Sequence, residues 1–499
     1  MDRAPAAESI ATPPWTIPGN LCAEVHETHT GLVVLIGDRA YKAKKAVRTD
    51  FLDFSSVQQR RHACEREIEL NRRLAPDSYL GLGRLDPPLG DGEPVIVMRR
   101  YPDSLRLAEL VRAGQPVEDR LAAIAEVLAR FHAGARRSPK IDDEATVGAL
   151  TARWRENLTE LQRHTGTVIS AAALLEVTRL AERFLAGRDE LYAQRIAAGR
   201  VVDGHGDLLT QDIFCLPEGP ALLDCLEFDD RLRSVDGIDD AAFLAMDLEY
   251  LGRQDLAEFF LDEYCRAAND SAPRSLRDLC IAYRAVVRAK VDCVRVDQGH
   301  AEAAADARRH LDIALAHLRA GAVQLVVIGG GPGTGKTTLA HALAQAGAAR
   351  VVSTDEVRRD LQRSGAISGS AGELDAGLYT PENAAAVYDE VLRRAQALLS
   401  TGHPVIVDGT WRDPRQRERV RRVGAQTSSP VVEFVCTVPI EQAVHRITTR
   451  GHSASDATPH IAEVLNDADR GWPEAYAIDT SRPIDESVAE AYQRCRLAL

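Results

Sequence analysis

Eight consecutive residues, Gly330-Gly331-Pro332-Gly333-Thr334-Gly335-Lys336-Thr337, constrain this chain more than any other stretch. They fit the pattern of a glycine, four residues, then glycine, lysine and a hydroxyl side chain. An apolar run, Val323 to Ile328, precedes them, and Thr338-Leu339-Ala340 opens a helical pattern behind them. Glycines let the backbone curl until successive N–H groups face one point, at the positive end of the following helix. Residues Gly330 to Thr338 are therefore expected to cradle the phosphates of ATP. Lys336 would reach the β and γ phosphates, and the Thr337 hydroxyl would ligate Mg2+. A plain glycine turn is the competing reading, and the full match in strand-to-helix context argues against it.

Two further pieces belong with this loop. Val405-Ile406-Val407-Asp408 reads as an apolar strand ending in a carboxylate suited to holding Mg2+. Asp355, in Val351-Val352-Ser353-Thr354-Asp355-Glu356-Val357-Arg358, is placed at a strand end, where it could take a proton from a substrate hydroxyl. As an alternative it caps a helix over 356–362, although Ser353 or Thr354 could do that instead. The stretch from about 322 to 470 resembles small P-loop kinases of the polynucleotide-kinase, gluconate-kinase and chloramphenicol-phosphotransferase type. That resemblance implies that Asp355 and Arg358, as an Asp-x-x-Arg pair, handle the acceptor. It also implies lid arginines over the phosphates, for which Arg446 and Arg450 are the candidates. Six arginines between Arg412 and Arg422 form a basic helix. A solvated face is the first reading of it, and a grip on a phosphorylated or nucleic-acid substrate the second.

A second constellation lies upstream. His205-Gly206-Asp207-Leu208 follows the apolar Val201-Val202, and Asp224 closes Ala221-Leu222-Leu223. Two aspartates at the ends of short strands suit phosphoryl transfer, one taking the acceptor proton and one holding the metal. Over roughly residues 25–300 this spacing is similar to the aminoglycoside phosphotransferase and protein-kinase-like superfamily. It is closest to a bacterial branch fused to a P-loop kinase domain, of unknown substrate. The resemblance implies Asp207 as catalytic base and Asp224 as principal Mg2+ ligand. Lys44, with Lys42 on the same strand face, would be the ATP lysine, and Glu67 its helical partner. Met98 to Tyr101 would form the hinge that meets adenine. Where the family has Asn as second metal ligand this chain has Asp212, and the family's His after the motif is Leu209. Residues 236–263 hold nine acids and one base, Arg253, a solvated face or an acidic rim for a cationic acceptor. Asp240 alternatively braces the catalytic loop, and His132 reads as a buried helix histidine.

The expected fold class is an α+β bilobal kinase-like domain followed by an α/β P-loop domain, a parallel sheet with helices on both faces. The expected boundaries are an arm over 1–20, a kinase-like domain over 21–320 (lobes 21–100 and 101–320), and a P-loop domain over 321–499. Composition narrows the function classes. Among 499 residues, 61 basic against 74 acidic side chains leave a net charge of −13, which argues against nucleic acid as the main partner. No apolar run approaches the ~20 residues of a membrane helix, and no secretory signal opens the chain. Scattered cysteines without Cys-x-x-Cys fit a reduced, cytoplasmic protein without zinc. The expected activity is transfer of the γ-phosphoryl group of ATP, with Mg2+, to a hydroxyl of a small molecule such as an amino-sugar, at two nucleotide sites. Two rivals are a regulatory ATPase whose kinase-like domain binds without turnover, and a nucleic-acid end kinase in the C-terminal domain.

Overall fold

The structure, a computed structural model, describes residues 23–27, 31–47, 53–85, 92–370, 376–449 and 471–499. The arm over 1–20 and Arg450 lie outside the described residues. Two compact units divide the chain: residues 1–145 with 199–271, and residues 146–198 with 272–499. This differs from a single boundary near 320, because the helices over 147–197 and 274–320 group with the P-loop sheet.

In the first unit, five strands form one antiparallel sheet: β1 (Glu24–Glu27), β2 (Gly31–Ile36), β3 (Arg39–Lys44), β4 (Tyr79–Leu85) and β5 (Glu93–Arg99), ordered β1-β2-β3-β5-β4. Residues β2 and β3 meet across Gly37-Asp38, as the turn pair suggests. The helix Val57–Asn71 starts at a capping box, in which Ser56 accepts from the Gln59 N–H and the Gln59 side chain bonds back to Ser56. It carries Cys64, Ile68 and Glu67 inward, and Ile68 packs with Tyr79, Ile96, Met98 and Tyr101. Two short antiparallel pairs follow: β6 (Val201–Asp203) with β9 (Ser234–Asp236), and β7 (Ile213–Leu216) with β8 (Gly219–Leu222). The helix Gly237–Tyr250 lies behind them and is buried almost throughout its first three turns.

The second unit is built on a five-stranded parallel sheet: β10 (Leu325–Gly329), β11 (Arg350–Ser353), β12 (Val405–Asp408), β13 (Val431–Thr437) and β14 (Tyr476–Asp479), ordered β11-β12-β10-β13-β14. A strand covered on both faces reads as an unbroken apolar run, and Leu325-Val326-Val327-Ile328 is such a run. Ile328, Ile406, Phe434 and Ile478 are buried with Leu339 and Leu343 of the helix Lys336–Gly347. Each of these side chains contributes about 1.5–3 kcal/mol on leaving water. The order puts β10 at the centre, so the loop that follows it opens at the carboxyl ends of its neighbours β12 and β13, where open α/β sheets bind ligands.

Candidate active sites

In the second unit the loop between β10 and the helix Lys336–Gly347 is held in a shape that only glycine permits. Gly330 has φ +135°, and a Cβ there would stand 2.8 Å from the Cys436 carbonyl oxygen. At Gly333 (φ +78°) a Cβ would lie 2.5 Å from the Ala443 carbonyl oxygen. Inside the loop the Thr334 hydroxyl donates to the Gly331 carbonyl at 2.8 Å, and Thr480 braces it from outside by donating to the Thr334 carbonyl at 2.6 Å. Lys336 Nζ stands 3.4 Å from the Gly331 carbonyl. Gly331 and Pro332 are buried, Gly335 caps the helix, and Thr337 and Thr338 are exposed on its first turn. Arg446 donates to the Thr480 carbonyl at 2.8 Å, which sets its guanidinium beside Gly335 at the rim of the loop.

Asp408 ends β12 and accepts from the Thr337 hydroxyl at 2.7 Å through Oδ2. Its Oδ1 is buried with no hydrogen-bond partner. Burial pushes the Asp408 carboxyl above its ordinary range, against the nearby Lys336 ammonium and the Thr337 hydrogen bond. A buried, unpaired carboxylate oxygen beside an exposed threonine hydroxyl and a curled amide loop fits a magnesium-bound triphosphate.

Asp355 lies in the first turn of the helix Thr354–Arg363 rather than at a strand end, because β11 stops at Ser353 and Ser353 supplies the cap. It pairs with Arg358 at 2.6 Å, and that guanidinium lies 4.5 Å from the Tyr379 ring. The run of arginines is largely spoken for. Arg419 pairs with Asp389, Arg421 with Glu433 and Glu474, and Arg422 with Glu418, while Arg417 reaches the Gly471 carbonyl and lies over Trp472. A helix whose charges are matched within its own unit makes a poor grip for nucleic acid. Sequence reasoning missed Trp411, which is wholly buried at φ +51° and 5.0 Å from the Tyr388 ring.

In the first unit the site is a network of ion pairs. Lys42 bonds Asp224 at 2.6 Å and Glu67 at 2.9 Å. Lys44 bonds the other oxygen of Glu67 at 2.6 Å, and also bonds Glu227. Both lysines therefore meet the helical glutamate, but Lys42 is the one on Asp224. The Lys44 side chain is 2% exposed, enclosed between Glu67 and Glu227. Burial alone would lower the Lys42 ammonium, but Asp224 and Glu67 outweigh it and keep the group charged. Loss of water raises the Asp224 carboxyl, and Lys42 more than offsets this, holding it below its ordinary value. Asp212 is pushed well above the carboxylate range, first by burial and then by the charges of Asp224 and Asp207. Among the described residues no group of three His, Cys, Asp or Glu side chains forms a ready metal cage. An ion at Asp212 and Asp224 would take its remaining oxygens from phosphates and water, as Mg2+ commonly does.

The loop bearing Asp207 is fixed from beneath. The fully buried carboxylate of Asp240 accepts from the His205 N–H at 2.7 Å, from the Gly206 N–H at 2.8 Å, and meets His132 Nε2 at 2.9 Å. Burial alone would raise Asp240; His132 and the loop amides reverse this and hold it far below the usual carboxylate range. His205 is driven toward the neutral form by burial, with Nε2 on the Leu223 carbonyl at 3.0 Å. Asp247 accepts from both the N–H and the hydroxyl of Thr210. The first part of the acidic stretch is thus internal scaffolding, not a rim. Met98 is buried in β5 within the cluster that includes Tyr101.

Comparison with known proteins adds the family. Residues 325–471 match the AAA domain model. Among solved structures, a putative kinase from Chloroflexus aurantiacus is 20% identical and covers 36% of this chain and 98% of its own, with a TM-score of 0.29. A choline/ethanolamine kinase family protein from Mesorhizobium loti is 15% identical and covers 62% of this chain and 96% of its own, with a TM-score of 0.34. Two relatives come from mycobacteria: "Uncharacterized protein Rv2004c" of Mycobacterium tuberculosis and "Uncharacterized protein Mb2027c" of Mycobacterium bovis. Each is 54% identical over 477 residues, covering 95% of this chain and 96% of the relative. At that identity and coverage, the chain belongs to the family of Rv2004c and Mb2027c.

Proposed function

We propose that the protein is an ATP-dependent small-molecule phosphotransferase with two nucleotide sites, one in each unit. The observation that carries this is the pairing, in one chain, of a curled phosphate loop facing a buried unpaired Asp408 oxygen with a Lys42–Glu67–Asp224 network beside Asp207. In the first unit Asp207 accepts the proton of the acceptor hydroxyl as its oxygen attacks the γ phosphorus. The bond to the β–γ bridging oxygen breaks, and Lys42 leaves Asp224 to pair with the phosphates. Asp212 and Asp224 would hold Mg2+, which when bound neutralises charge on the phosphates. In the second unit the loop amides and Lys336 hold the phosphates, Thr337 and Asp408 would hold the metal, and Asp355 with Arg358 orients the acceptor. Arg446 closes over the loop. The acceptor in both cases is a small hydroxyl compound.

Isothermal titration with ATP and Mg2+ tests the reading directly. Two sites per chain are expected, with Lys336→Ala removing one and Lys42→Met the other. A single site insensitive to Lys42→Met would sink the assignment of the first unit.

A further inference from the structure

Four successive backbone N–H groups around Asp224 all find partners, but not of one kind. Leu223 donates to the Asp212 carbonyl at 3.0 Å and Leu226 to the His205 carbonyl at 3.1 Å, both main-chain acceptors. Between them, Asp224 donates to the Tyr79 hydroxyl at 3.3 Å and Cys225 to Asn71 Oδ1 at 2.9 Å. The two peptide N–H groups that flank the Asp224 side chain are therefore held by side chains from elsewhere in the unit. Tyr79 is 1% exposed and Asn71 fully buried. Asn71 also donates to the Glu67 carbonyl at 2.9 Å, so it ties the glutamate-bearing helix to the aspartate-bearing loop.

The backbone at Asp224 needs such support. Its φ of +63° is left-handed, a conformation that costs a side-chain-bearing residue energy and persists where surroundings over-determine it. With φ there, the carboxylate turns toward Lys42. We propose that Tyr79 and Asn71 are positioning residues that lock the Asp224–Cys225 backbone in this conformation and so aim the Asp224 carboxylate at the metal of a bound nucleotide. The inference rests on reading the first unit as a nucleotide site. Neither residue touches the phosphates; each acts through the loop.

The test uses the full-length protein carrying Lys336→Ala and Thr337→Ala, which silences the loop of the second unit. Mn2+ is titrated by electron paramagnetic resonance in the presence of a non-hydrolysable ATP analogue. Tyr79→Phe removes one oxygen and keeps the ring; it is expected to weaken Mn2+ binding at least fivefold, and Asn71→Leu at least tenfold. Equal Mn2+ affinity in both variants, with only the melting temperature lowered, would reduce the two residues to scaffolding and overturn the proposal. If the parent chain itself binds no Mn2+–nucleotide, the nucleotide reading falls and this inference with it. Hydrogen exchange on the parent supplies a check without substitution: the amides of Asp224 and Cys225 should be protected as strongly as those of β6, and rapid exchange would overturn the lock.

Discussion

On the function proposed above, the two units solve one problem with different materials. In the second, phosphates would be met by main-chain amides of one continuous loop, Gly330 to Thr338, whose shape follows from glycine. In the first, they would be met by Lys42 and by a metal held at Asp212 and Asp224, with Glu67 placing Lys42 and Asp240 bracing the Asp207 loop from beneath. A main-chain cradle is local and tolerates change around it. A side-chain network is spread along the chain and fails at any strut, because a buried charge that loses its partner costs about 3–5 kcal/mol.

The most severe way to break the comparison is Asp207→Asn. In single-turnover assays with the loop of the second unit silenced, the rate should fall about a thousandfold, within the range for a lost general base. An unchanged rate would mean that the first unit binds without turnover. Next in size is Asp240→Asn, which keeps the shape but not the charge. Chemical denaturation should show the first unit losing about 2–3 kcal/mol, as expected for charge-assisted hydrogen bonds. The sign with pH follows from the depressed carboxyl: the stabilisation by Asp240 is complete above its ordinary value and is lost as the pH falls below about 4. The variant should lack that acid limb; retaining it would shift the cause elsewhere.

A smaller effect sharpens the other side. Gly330→Ala should weaken nucleotide binding in the second unit about tenfold in calorimetry, since the added carbon meets Cys436 and Thr334. The first unit should be untouched, and a loss in both would join what the comparison separates. Smallest of all, Arg412→Gln with Arg415→Gln should change nothing: with the other four arginines already partnered, oligonucleotide binding should be weak and flat in salt before and after. A steep salt slope abolished by these changes would restore the nucleic-acid reading.

Legibility follows the same division. The phosphate loop, Asp408 and the hairpin of β2 and β3 could be read because their determinants are adjacent in sequence or share a period. β4 and β14 were passed over: Tyr79–Leu85 is broken by Gly81 and Gly83, and Tyr476–Asp479 is four residues with one buried side chain. Asp207 and Asp224 were singled out by the spacing of a family resemblance, whereas Tyr79, Asn71 and Glu227, which bond to that loop or to Lys44, were not. Tyr79 meets Asp224 across 145 positions and Asn71 meets Cys225 across 154, and no local pattern encodes such pairings. Lys42 and Lys44 share a strand face, so the choice between them depended on where Asp224 lies in space.

The division into units implies a constraint on assembly. The polypeptide passes from one to the other at 145, returns at 198, and leaves again at 271. On a ribosome the first unit cannot close until the segment ending near residue 271 has emerged, while helices belonging to the second wait for a sheet not yet synthesised. No single cut of the polypeptide separates these two groups of residues.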